Sequence, residues 1–98
     1  MKTLNSKELL KKYKSKVKDI IIDDEFIIVE LLSIRNSIID MINSLTDSQL
    51  NRFLKIDSDL INLLPEIYKI EENLDIKDSV NDGSYKVYNE MQSRRLVA

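Results

Sequence analysis

From Ile27 to Leu74 the apolar residues recur at intervals of three and four, and that rhythm restricts what the chain can become more than any other feature. Ile27, Leu31, Ile34, Ile38, Met41 and Leu45 form one row, with Ile28, Leu32, Ile39 and Ile42 beside it. Phe53, Ile56, Leu60, Leu63, Ile67, Ile70 and Leu74 form a second, flanked by Leu50, Leu54, Ile61 and Leu64. Each set makes a wide apolar face on a helix. Between them stands a start signal: Thr46 and Gln49 form a Thr-x-x-Gln capping box, and Leu45 and Leu50 occupy the two positions of a hydrophobic staple. Two long helices, 24–45 and 47–75, are therefore expected to fold back on each other at Leu45-Thr46. The phase of the second runs unbroken through Pro65, which predicts one helix kinked between Ile61 and Pro65.

Folding at that corner brings Ile42 against Leu50, Ile38 and Ile39 against Phe53 and Leu54, and Leu31 and Leu32 against Leu60 and Ile61. It also sets Arg35 opposite Asp57. Each of these charges interrupts an apolar row in its own helix, so an ion pair is expected at the middle of the hairpin. The competing reading leaves both at the edge of the face, reaching for water. A partly buried pair would matter more for fixing register than for stability.

A further helix, 6–21, opens with Asn5 and Glu8 as a looser capping box and Leu4 with Leu9 as its staple. Leu9, Leu10, Tyr13, Val17, Ile20 and Ile21 line one face, while Lys7, Lys11, Lys14 and Lys18 form a stripe on the other, with Lys12 and Lys16 beside it. Residues 1–18 hold seven lysines against Glu8, a net charge of +6, so the overall −2 leaves −8 on the remainder. By propensity alone, Val17 to Ile22 and Phe26 to Leu31 would pair as strands turning at Asp23-Asp24. The helical reading is preferred, because no glycine or asparagine is there for a tight turn and the Ile27 row is already in helical phase. Residues 75–84 mix polar and turn-forming residues with the only glycine and read as a loop. They do not make a calcium loop: counted from Asp78, the third position, which needs an oxygen ligand, is Val80, and the twelfth, which needs a bidentate glutamate, is Asn89. A short helix, 85–95, would bury Tyr85, Tyr88 and Met91 and carry Arg94 and Arg95 near its carboxyl end. Its sparse apolar content leaves its ordering in part to a partner or a second copy.

The whole is read as one all-α domain, 1–98, a small antiparallel bundle with one modest core. No apolar run exceeds four residues and the lysine-rich start lacks the apolar stretch of a signal peptide, so a cytoplasmic protein without membrane association is expected. The absence of cysteine fits a reducing compartment.

With neither histidine nor cysteine, the common general base, the thiolate nucleophile and the usual zinc ligands are missing, and one glycine cannot build a phosphate-cradling loop. Carboxylate groups such as Asp57-Ser58-Asp59, Asp23-Asp24-Glu25 and Glu71-Glu72 read as caps and solvated faces rather than magnesium sites. No catalytic residue, cofactor or metal is assigned. The expected function is a non-catalytic protein–protein interaction module, such as an adaptor, regulatory subunit or inhibitor, with self-association into a homodimer. Its candidate contact residues are Leu63, Ile67, Tyr68, Ile70, Leu74, Tyr85 and Tyr88. The alternative is a nucleic-acid-associated regulator gripping phosphates through Lys7, Lys11, Lys14 and Lys18, although no base-reading set accompanies that stripe. The plainest reading of the stripe is a solvated face opposite Glu66, Glu71, Glu72 and Asp75.

Overall fold

The cap expected at Thr46 forms in both directions in the computed structural model, which describes residues 5–20, 25–70 and 74–94. The Gln49 amide donates to Thr46 Oγ1 at 3.1 Å, and the Thr46 amide donates to Gln49 Oε1 at 3.0 Å. Leu45 and Leu50 are both buried, as a staple requires. From this corner starts α3, Asp47–Ile70, continuous through Pro65. The Asn5 cap forms too, with the Glu8 amide donating to Asn5 Oδ1 at 2.9 Å at the head of α1, Ser6–Lys18.

Three boundaries differ from the sequence reading, and the first is that α3 ends at Ile70 rather than at residue 75: residues 71–73 lie outside the described ones, and Leu74 and Asp75 open the next helix. Helix α1 stops at Lys18, short of the expected Ile21 and just ahead of a run of β-branched isoleucines of lower helix propensity that begins at Ile20; residues 21–24 lie outside the described ones. Helix α2, Glu25–Asp40, ends before Leu45 and passes into a 3-10 turn, Ile42–Ser44. There the Ser44 hydroxyl donates to the Met41 carbonyl at 2.7 Å, a local bond that competes with continuing the helix. Among the described residues there is no strand, so the helical reading of the segment from Glu25 onward holds.

The larger correction concerns the predicted loop 75–84 and short helix 85–95, which are replaced by a single helix α4, Leu74–Ser93. Gly83 and its polar neighbours disfavour a helix by roughly 0.5–1 kcal/mol each. Ile76, Val80, Gly83, Val87 and Met91, however, fall at helical spacing, and Val80 and Val87 are buried in the core. Burying each such apolar side chain contributes about 1.5–3 kcal/mol, which outweighs the local preference.

The helices alternate in direction. Ser6 meets Gln49 and Tyr13 meets Asp57, so α1 runs parallel to α3, whereas Lys16 pairs with Glu30 further back along α2, which runs the other way. In α4, Val80 and Ser84 lie at Arg35 and Arg94 reaches Ile42, so α4 follows the direction of α2. Helix α1 packs most closely on α2 and α3, and α4 on α2. The two arms of the hairpin are thus antiparallel, but α1 is the near neighbour of both, and α2 and α3 meet in the core through Arg35 and Asp57. Tyr13 stacks on Phe53 with ring centroids 5.6 Å apart, among the buried Leu10, Ile28, Leu31, Ile38, Leu50 and Leu60. Ile61, expected against Leu31 and Leu32, instead remains 43% exposed. No described helix is long and apolar enough to cross a membrane.

Candidate functional site

At the centre of the bundle each helix contributes to one polar cluster. Asp57 on α3 accepts from the Tyr13 hydroxyl at 2.6 Å and from Arg35 Nε at 2.7 Å on Oδ1, while Oδ2 accepts from Arg35 Nη2 at 3.2 Å. The rest of the guanidinium turns to α4, where Nη2 donates to Ser84 Oγ at 2.9 Å and Nη1 donates to the Val80 carbonyl at 3.3 Å. Arg35 is fully buried and Asp57 nearly so. The forked geometry suits arginine, and the donors on the carboxylate come from two other helices, Tyr13 on α1 and the two-pronged Arg35 on α2. Burial pushes the Tyr13 phenol well above its ordinary range, and the adjacent Asp57 carboxylate adds to the effect. For Arg35, burial alone would weaken the charge, but the hydrogen bond and the negative charge of Asp57 outweigh it and hold the guanidinium more firmly protonated. No buried side-chain nitrogen or oxygen is left unpaired among the described residues. This cluster therefore holds four helices in register and spends its hydrogen-bonding capacity internally. The ion pair expected from the sequence is present; Tyr13, Ser84 and the Val80 carbonyl are partners the sequence did not reveal.

The surface between α1 and α3 is different. A groove of about 350 Å³ has Val17, Ile56 and Leu63 along its floor, with Lys14 and Lys18 on the α1 wall and Arg52, Lys55 and Asp59 on the α3 wall. The four cations make no ion pair among the described residues, unlike Lys16, Arg35 and Arg94, which all do. Between α2 and α4 lies an open hollow of about 530 Å³ of the opposite sign, lined by Asp40, Asp78 and Asp82 against Lys86. Among the described residues, no group of acidic side chains is arranged to hold a metal ion.

The lysine stripe is exposed along its length at Lys7, Lys11, Lys14 and Lys18. Its last two members share a groove with Arg52, Lys55 and Asp59, while the side chains of Glu71, Glu72 and Asp75, expected opposite the stripe, lie outside the described residues. Of the candidate contact residues, Leu63 lies in the groove floor, whereas Ile67 is buried in the core at 1% exposure and cannot present a surface. Tyr68 is half-buried with Lys77 over its ring at 5.9 Å, and burial raises its phenol above the ordinary range. Tyr85 and Tyr88 are exposed on α4 and do not line the groove, and the side chains of Ile70 and Leu74 lie outside the described residues. Sequence reading missed Arg52 and Lys55, since only the parallel packing of α1 and α3 sets them beside the stripe. The chain matches no protein-family model, and no curated protein or solved structure matches it either.

Proposed function

We propose that this protein is a small non-catalytic protein–protein interaction module of the cytoplasm, an adaptor, regulatory subunit or inhibitor, that receives its partner on the α1–α3 face. The groove supports this reading: an apolar floor rimmed by cations that have no ion-pair partner among the described residues is a surface that excludes water well only when something covers it. The internal commitment of the Arg35 cluster agrees with a scaffold rather than a reactive centre. A homodimer would draw on the exposed Tyr85 and Tyr88 of α4. The second reading, phosphate binding by Lys7, Lys11, Lys14 and Lys18, draws on their exposure; it accommodates neither the apolar floor nor Asp59 on the rim.

Two measurements test this. A photo-crosslinking residue placed at Leu63 should trap a discrete protein in the cells that make the chain, and the same probe at Asn43 should not. Labelled duplex DNA and RNA titrated at low and high salt should bind weakly. Tight, salt-steep binding that disappears when Lys7, Lys11, Lys14 and Lys18 become glutamine would replace the first reading with the second.

A further inference from the structure

Resting on the reading of the chain as an interaction module, we propose that the α1–α3 groove docks an amphipathic helix of a partner protein, one with leucine-like side chains on one face and carboxylates along both edges. Ile56 and Leu63 stand seven residues apart on α3, two helical turns, and Val17 of α1 completes the floor between the walls. A docked helix offers apolar side chains at i, i+4 and i+7, the same interval. From Arg52 to Leu63 the floor and rim extend about 16 Å at 1.5 Å per residue, three turns of a bound helix.

The rim then selects the charge. Lys14 and Lys18 stand on one wall, Arg52 and Lys55 on the other, with Asp59 the sole acid among the groove residues. A helix lying between the walls meets cations on both edges, so carboxylates flanking its apolar stripe are attracted and lysines there are repelled. The four cations have no carboxylate partners among the described residues, so docking breaks no ion pair that those residues make. A nucleic acid fits less well, since its phosphates would leave the floor of Val17, Ile56 and Leu63 without an apolar partner. The α2–α4 hollow of a second copy carries the complementary sign but is itself concave and cannot fill a groove.

The test uses the full chain and four labelled peptides of about 15 residues, long enough for the groove plus its ends. The first is helical, with leucines at i, i+4, i+7 and i+11 and glutamates on both sides; the others are its lysine-flanked counterpart, a scrambled version, and one with the leucines replaced by alanine. Anisotropy titrations should show the first binding at least about tenfold more tightly than the other three. Arg52→Glu with Lys55→Glu should reverse the preference between glutamate and lysine flanks, and Leu63→Asp should weaken both; circular dichroism verifies that these surface variants stay folded. Equal binding of the ordered and scrambled acidic peptides, tighter binding of duplex DNA, or concentration-dependent self-association abolished by Arg52→Glu with Lys55→Glu in sedimentation would each overturn the proposal. If no peptide binds while the Leu63 crosslink still traps a protein, the acidic-helix inference fails and the interaction module stands; if the crosslink fails as well, both fall.

Discussion

Gly83 lies so close to Arg35 that a Cβ at this glycine would stand 2.7 Å from the guanidinium Nη1 and 2.9 Å from Ile39 Cδ1. The only glycine of the chain is thus a notch in the apolar row of α4, not a turn. It lets a buried arginine approach the helix closely enough to bond the Val80 carbonyl and the Ser84 hydroxyl. Close approach is one of the few reasons to keep glycine inside a helix.

Gly83→Ala sets two effects against each other. Alanine would gain up to about 1 kcal/mol of helix propensity at an exposed helical site. Here the added methyl must displace a guanidinium fixed by Asp57, Ser84 and Val80, and overpacking of this kind costs about 1–3 kcal/mol. A net loss of up to about 2 kcal/mol in urea unfolding is expected; a raised midpoint would mean that Arg35 moves freely.

Tyr13 makes stability depend on alkaline pH. Its folded phenol titrates above the ordinary value of 10.0, because burial and the Asp57 charge disfavour the phenolate. The unfolded chain therefore loses this proton first, and the stabilisation is complete below pH 10 and declines as pH rises beyond it, by up to about 1.4 kcal/mol per unit. Urea midpoints from pH 8 to 11 should fall less steeply in Tyr13→Phe than in the parent chain. Parallel slopes would contradict the role assigned to this hydroxyl. At pH 7 the same substitution should cost about 1.5–3 kcal/mol, as expected for a lost hydrogen bond to a buried carboxylate.

Thr46→Ala removes the hydroxyl that receives the Gln49 amide at the head of α3. A loss of about 1 kcal/mol is expected by thermal or urea unfolding. Thr46→Ser, which keeps the acceptor, should recover most of it, and a failure of serine to do so would assign the effect to packing instead.

The hairpin corner, the Thr46 capping box, the Asn5 cap and the Arg35–Asp57 pair could be read from the sequence, because each depends on residues at fixed local spacing or on the register that one turn imposes. The extent of α4 could not. Gly83, Asn81 and Asp82 carry the composition of a loop, and only the contacts of Val80 and Val87 with the core and of Gly83 with Arg35 make them helical. The groove was half legible. The lysines of α1 are periodic, but Arg52 and Lys55 join them through tertiary packing, and nothing local in α3 announces it. Ile67 was expected at the surface because its row continues past Leu63; the core reaches further along α3 than the sequence pattern conveys.

The most direct test of a register held by one buried pair is a double-mutant cycle with Arg35→Met and Asp57→Leu, followed by urea unfolding in a stabilising osmolyte. Each single substitution strands a buried charge and should cost about 3–5 kcal/mol, while the double variant, which removes both charges, should cost far less than their sum. A coupling energy of about 2 kcal/mol or more is the expected result. Single losses that add to within about 0.5 kcal/mol would contradict it and show that Arg35 and Asp57 do not hold the helices together.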